Sequence, residues 1–447
     1  MENNESSKNI LFISNEQIDI ETNEYKKDNE YNRQKIREKV EPWLTAVFQS
    51  EHLSLLVGSG LSIALTGNSS IMEIIDFNGD HKQKIKNKAD EEAKNMGRGE
   101  ANIEDYLRVA IELLKGYEII GFNRKSTSLK NEINDQLKRL LNLIIRYEKE
   151  FLDKTNNNAE LNYNNKSDEN TDQIAERENI LLLLEKFLLS FSTRTATRDR
   201  LNIFTTNYDR FIEYGLDEAG ILTLDRFIGK LKPIMRFHRI DLDYHYNPPG
   251  IRGEPRYVEG VVRFTKLHGS IDWKFEGDQI VRMPLPFGEN VNEKYFADPF
   301  DKVVIYPNSN KAIETAFFPY SELFRDFSTA ICRPNSVLVT YGYGFGDSHI
   351  NRIISDMLTI PSTHLVIISY DLANGRIQNF INKCNEAQLT LLIGNELGNF
   401  ENLTKYYLPK PAIDRITDRE ARVLEKRKSM MATNSESKDL QQGETNE

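Results

Sequence analysis

Three short stretches of this sequence place polar chemistry beside bare backbone: Gly58-Ser59-Gly60, Thr205-Thr206-Asn207-Tyr208-Asp209 and Leu267-His268-Gly269-Ser270. Each follows an apolar run of strand length. A Gly-Ser-Gly turn that leads into a helix-like pattern lets main-chain N–H groups approach an anion such as a pyrophosphate. Two later ends have the same character. One is Gly342-Tyr343-Gly344-Phe345-Gly346-Asp347; the other carries Ser369 and Asp371, where a carboxylate could take ribose hydroxyls. Every feature also has a plain structural reading. Gly-Ser-Gly makes tight turns, Asn207 and Asp209 can cap the following helix, and a single His268 can be a hydrogen-bonded structural residue. Ile63 stands where a third glycine of GxGxxG belongs, which disfavours a standard dehydrogenase. What points to a site is their occurrence together at successive strand ends.

The elements that must hold these ends are legible. HLSLLV (52–57), LNIFTTNYD (201–209), VVRFTKLHGS (261–270), KVVIYPNS (302–309), SVLVTYGYGFGDS (336–348), HLVIISYD (364–371) and LTLLIGN (389–395) read as strands. Near-continuous Val, Ile and Leu within them indicates burial on both faces, as in a parallel sheet between helices. HINRIISDMLT (349–359) supplies a crossover helix, started by His349. Between the first strand and the others, residues 66–200 repeat apolar residues at three and four, a long helical insertion. ILLLLEKFLLSF (180–191) reads as a largely buried helix within it. Residues 153–173 almost lack apolar side chains and read as a mobile surface loop. The fold class is therefore α/β, a Rossmann-like, doubly wound, mostly parallel sheet interrupted after its first strand. A polar extension (1–37), loosely ordered, precedes the domain at 38–410, and a charged helix and tail (411–447) follows it. YHYNPPGIRGEPRY (244–257) reads as an ordered surface loop, or as an assembly contact or lid.

Composition narrows the class. With 447 residues and 39% hydrophobic content, the chain can bury a large core, and its net charge of −10 does not suit a surface built wholly for nucleic acid. A local basic patch stays open, and with it direct nucleic-acid binding. Two distant cysteines, Cys332 and Cys384, make no disulfide framework and suit a reducing cytoplasm. The opening MENNESSKNI is unlike a signal peptide, and no apolar run spans a bilayer, so a cytoplasmic chain without a membrane segment is expected.

GSGLS, TTNYD, LHGS and GYGFGDSH, in that order, resemble the sirtuin-like NAD-binding family over roughly residues 40 to 400. They look more like the branch of bacterial antiphage defence than the deacetylases. NIEDYL, PYSELFRDF (319–327) and GYGFGDSHINRII resemble the sirtuin-like subunit that works with a HerA-type hexameric ATPase. The resemblance implies NAD as substrate, a homo-oligomer and that ATPase as partner. It assigns Asn207 to the nicotinamide ribose and the attacking water, His268 to the base, and Asp209 to orienting the Asn207 loop. Gly58, Ser59 and Gly60 would hold the pyrophosphate with Ser62 and Thr206 nearby, while Gly342, Phe345 and Asp371 would line the adenosine end. The chain departs from deacetylases in having no cysteine within 269–301, so no zinc is expected. It also has Tyr306-Pro307-Asn308-Ser309 where they follow the next strand with an FGE-type segment; its PFGE (286–289) precedes that strand. Three functions stay open: cleavage of NAD to nicotinamide and ADP-ribose, a non-hydrolytic NAD or ADP-ribose-binding assembly module, and a DNA nuclease subunit of the same complex. Against the last, the sequence has no recognisable metal-carboxylate cluster. Acidic residues such as Glu104 and Asp105 read as helix N-terminal or solvated charges.

Overall fold

The computed structural model describes residues 9–67, 81–95, 101, 103–164, 180–194, 198–237, 243–246, 256–289, 299–305 and 318–410. Contacts divide the chain into Met1–Leu408 and Pro409–Glu447. The charged tail expected at 411–447 lies outside the described residues, as does most of 244–257.

The centre is a nine-stranded sheet. Numbering its strands alone, β1 is Ile10–Ile13, β2 Glu16–Ile18, β3 His52–Val57, β4 Asn202–Thr205, β5 Leu222–Leu224, β6 Val261–Lys266, β7 Ser336–Tyr341, β8 His364–Ser369 and β9 Leu389–Ile393. Their spatial order is β2-β1-β9-β8-β7-β3-β4-β6-β5. The seven strands from β9 to β5 run parallel. Both faces are apolar, which is why the strands read as unbroken hydrophobic runs. Leu53, Leu55, Val57, Val337 and Val339 enter one core layer; Leu56, Leu338 and Ile367 enter the other. Helices α1 (Arg33–Phe48), α2 (Ser59–Thr66), α6 (Ile180–Ser192) and α7 (Phe211–Glu218) contribute to the first layer; the helices Tyr320–Ile331 and Ser348–Leu358 contribute to the second.

The insertion supplies α3 (Lys82–Asn95), α4 (Ile103–Ile119) and α5 (Asn123–Asn164). They share a third apolar cluster with Ile271, Leu285 and Val303. Two of these three, Ile271 and Val303, belong to a second, antiparallel sheet of five strands, with Val303–Ile305, Gly269–Glu276, Gln279–Arg282, Ile234–Met235 and Phe227–Ile228 in that order. The insertion is thus anchored on the small sheet.

Three expectations need correction. Residues 9–31 are not a loosely ordered extension: β1 pairs antiparallel with β9, Ile10 level with Ile393, and Leu11 is fully buried. The polar composition misled because the short apolar run ILFI is followed by a two-residue turn, Ser14-Asn15, whose left-handed backbone suits a hairpin. Residues 153–164 continue α5 as helix instead of forming a loop, and 165–173 lie outside the described residues. KVVIY does not join the parallel sheet; Val303–Ile305 pairs antiparallel with Gly269–Glu276.

Leu11→Ala is expected to lower stability by about 2–5 kcal/mol, the cost of a buried leucine cavity. Urea unfolding measures it; an unchanged midpoint would mean that the hairpin does not cover the sheet edge.

Candidate active site

Parallel register builds the site. Val57 is level with Thr205 and with Tyr341, and Thr205 is level with Lys266. One step on, the pattern continues with Gly58 N–H on Tyr341 O, Thr206 N–H on Val57 O and Leu267 N–H on Thr205 O; Ser59, Asn207, His268 and Tyr343 come next along the chain. Strand order reverses about β3, with β4 and β6 on one side and β7 and β8 on the other. This is the topological switch point at which open α/β sheets take ligands. The Tyr208 and His268 rings stand 6.3 Å apart, so the second and third motifs do meet.

The glycines act differently from the sequence expectation. A Cβ on Gly58 would lie 2.5 Å from the Gly342 carbonyl oxygen, and one on Gly60 2.5 Å from the Gly342 Cα. Gly342 itself is left-handed, at φ 59°. Two backbone turns therefore cross with no space for a side chain. The N–H of Gly58 donates to Tyr341 O and that of Gly60 to Gly342 O, both at 3.0 Å. Those two amides are engaged within the protein, so an anion would meet the start of α2 through exposed Ser59. Ser62, expected near the phosphates, is fully buried and belongs to another network.

That network holds Asn207. Its main-chain N–H donates to Thr205 Oγ1 at 3.1 Å, and Thr205 Oγ1 donates to Val57 O at 3.0 Å. Its amide nitrogen donates to Gly58 O and to Ser62 Oγ, each at 3.0 Å, and Ser62 Oγ donates to Asp209 Oδ2 at 2.6 Å. Both amide hydrogens are spent, which fixes the side chain with Oδ1 as the acceptor; among the described residues Oδ1 has no partner. Asp209 thus orients Asn207 through Ser62. Burial pushes the Asp209 carboxyl above the usual range, and the neighbouring Lys266 ammonium pulls it back. Thr206 is half-buried beside this loop, its N–H on Val57 O at 3.2 Å.

His268 sits at the two-residue junction between β6 and the small sheet, with rings of Tyr208 and Phe324 each 6.3 Å away. Its Nε2 lies 3.0 Å from Asp347 Oδ2. A carboxylate only accepts, so Nε2 carries the proton and Nδ1 is the basic nitrogen of the neutral ring. Asp347 is itself fixed, because its Oδ1 accepts from the N–H groups of His349 and Ile350 as the cap of Ser348–Leu358. An oriented imidazole on a capped aspartate is an arrangement for moving a proton.

The expected adenosine end is less uniform. Phe345 turns its ring into the core against Tyr343 and Phe380, at 4.9 and 4.7 Å, in place of lining an open surface. Asp371 is exposed and its Oδ1 accepts from Ala373 N at 2.7 Å. Phe345, Ala373 and Asn374 all have left-handed backbone, so strain gathers at the ends of β7 and β8.

Three residues that support the site, Lys266, Arg210 and Glu148, were not foreseen, and a fourth, Asp347, had been given no role. Lys266, 1% exposed, donates to the main-chain carbonyl of Asp209 and to Glu213 Oε1 at 2.8 Å, pinning the β4–α7 loop from below. Arg210 and the fully buried Glu148 of α5 form a two-pronged pair, at 3.1 and 2.6 Å, that ties the insertion to the same loop. Asp347 was visible in GYGFGDSH as a strand-end carboxylate, but only the fold brings it to His268. Glu148 had no signal, since it lies in an ordinary helical repeat. Among the described residues no group of three or more His, Cys, Asp or Glu could hold a metal ion, and no helix is long and apolar enough to cross a membrane.

A family model described as a SIR2-like domain matches residues 201–389. The chain is similar to that domain from β4 to the start of β9, which supports the sirtuin-like fold and an NAD-related activity. The match includes Asn207, His268 and Asp347 and leaves out the Gly58–Gly60 turn and the helical insertion. No curated protein matches the chain.

Two outcomes follow from this geometry. Gly60→Ala should cost about 1–3 kcal/mol, as overpacking against backbone does; a thermal melt matching wild type would refute the crossing. Asp347→Asn should preserve the helix cap, since Asn caps as well as Asp. Its carbonyl would stay on the helix N–H groups and its NH2 would face His268, forcing the ring proton onto Nδ1. Nitrogen-15 NMR of the histidine ring reads the tautomer, and a proton still on Nε2 would contradict the assignment.

Proposed function

We propose that the chain is an NAD+ glycohydrolase, converting NAD+ and water to nicotinamide, ADP-ribose and a proton. The observation that carries this is the Asn207 amide, locked by Gly58 and Ser62 with its carbonyl oxygen open, at the end of the strand that pairs with the one leading into His268 and its partner Asp347. Breaking the nicotinamide–ribose bond passes through an oxocarbenium-like state, and the nicotinamide leaves without needing a proton. Two tasks remain for the protein. It must hold the dinucleotide so that the ring can depart, and it must deliver water to the ribose carbon. Asn207 Oδ1 accepts from that water or from a ribose hydroxyl and holds it in place. His268 Nδ1 takes the proton as the carbon–oxygen bond forms, and Asp347 stabilises the imidazolium that results. Asp209 acts through Ser62 as a positioning residue. The start of α2, with Ser59, is the end suited to the pyrophosphate, because helix N-terminal dipoles favour anions.

The wider role rests on the likeness of GSGLS, TTNYD, LHGS and GYGFGDSH to the antiphage branch of the sirtuin-like family. In this reading the enzyme is the effector of a bacterial defence system. It works in the cytoplasm as a homo-oligomer with a HerA-type hexameric ATPase, which restrains it until infection. Restraint is a physical necessity for an activity that destroys a central cofactor.

The test is release of nicotinamide from NAD+, followed by chromatography, with the full chain alone and with the ATPase. Wild type in the activated state should cleave NAD+; His268→Ala and Asn207→Ala should each lose about 10²- to 10⁴-fold, the usual worth of a positioned acid–base group. Both variants cleaving at the wild-type rate would end the proposal. NAD+ retained by the active complex with no nicotinamide formed would favour a binding module instead.

A further inference from the structure

A cavity lies under the edge of the large sheet, beside the end of β5. It encloses about 210 Å³ and opens beside the edge strand β5, on the face covered by the helix Tyr320–Ile331. Its wall runs from Asn202, which opens β4, to Phe204 and Thr265, which stand three residues before Asn207 and His268 respectively.

The chemistry of the wall is specific. Asn202 is 5% exposed, yet its amide makes a single long bond, 3.4 Å to Arg200 O; among the described residues its Oδ1 has no partner. Thr265 also lines the space, with a hydroxyl that is uncommitted among the described residues. The Asn202 oxygen is available to a donor that enters the cavity. At the rim, Arg236 is exposed and makes no ion pair among the described residues, and Arg263 spends only Nη2, on Asp243 at 3.0 Å. Arg226, by contrast, is saturated by Asp326 and by main-chain carbonyls, so it shapes the wall and is not available. Phe227 and the half-exposed Tyr244 add aromatic faces. The wall's carboxylates, Asp225 and Asp326, are held by Arg282 and Arg226, so the uncommitted charge at the mouth is the Arg236 guanidinium, with the free edge of Arg263 beside it, and it favours an anion.

We propose that this cavity binds a ribose 5-phosphate group. The phosphate meets Arg236 and Arg263, the sugar hydroxyls donate to Asn202 Oδ1 and exchange hydrogen bonds with Thr265, and the carbon face of the sugar packs on Phe227. The volume is below the 300–1,000 Å³ of sites for drug-sized ligands, which fits one sugar phosphate. A nucleoside monophosphate carries the same group and would leave its base outside, against Tyr244. The site does not depend on NAD+ cleavage.

Titration calorimetry on the full chain tests this with three probes: ribose 5-phosphate, AMP and inorganic phosphate. Ribose 5-phosphate should bind, and more tightly than phosphate. Arg236→Glu, a change at an exposed and unpaired position, should weaken it about tenfold or more, the worth of one charged hydrogen bond. The isosteric Thr265→Val should weaken it with the melting temperature unchanged. AMP binding more tightly than ribose 5-phosphate assigns the site to a nucleotide; equal or weaker binding assigns it to the free sugar phosphate. No binding at millimolar concentration overturns the proposal. So does phosphate binding as tightly as the sugar phosphate, or binding that Asn207→Ala abolishes and Arg236→Glu leaves intact.

Discussion

Gly60 and Gly342 approach until a methyl carbon on Gly60 would sit 2.5 Å from the Gly342 Cα, and the rest of the site is arranged around that crossing. It brings the start of α2 against the end of β7, closes the hydrogen bonds from Gly58 and Gly60 to Tyr341 and Gly342, and leaves the Gly58 carbonyl turned toward Asn207. Backbone against backbone cannot repack as two side chains can. The relative height of β3 and β7 is therefore fixed by the main chain itself, and the residues that follow these strands start from it.

From this crossing the polar network spreads in one direction. Gly58 O and Ser62 hold Asn207, Asp209 holds Ser62, and Lys266 holds the main chain of Asp209 from beneath. None of these groups faces bulk water, so each hydrogen bond is stronger than in solvent and each missing partner is costlier. The reward is precision: the open acceptor of Asn207 has little freedom to turn away. His268 is held by a different group, the helix-capping Asp347 that follows β7, across β3 from β4, so the amide and the imidazole have separate supports.

The helical insertion contributes to the same end. It shares an apolar cluster with the small sheet, and its Glu148 reaches Arg210, the residue after Asp209. A buried pair of this kind adds little net stability over an apolar packing, but breaking it leaves an uncompensated charge. Its value here is geometric. It fixes the β4–α7 loop against a helix that runs for 42 residues and is roughly 60 Å long.

Much of this was present in the order of residues. Unbroken apolar runs announced a sheet covered on both faces, and polar and glycine residues announced where its strands end, because side-chain burial and turn chemistry are local properties. Asn207, His268 and Asp209 were singled out for that reason, and each stands just beyond the carboxyl end of a parallel strand. What the sequence could not decide was every relation across distance. Whether ILFI near the start joined the sheet depended on an edge at β9 nearly four hundred residues away. Whether the glycines offered their N–H groups outward or to each other depended on how close β3 and β7 came. Asp347 became the partner of His268, and Glu148 that of Arg210, only when packing brought separate elements together. Composition and periodicity determine which surfaces must be buried; the register and spacing of the buried elements decide which polar atoms meet, and therefore what chemistry they can do.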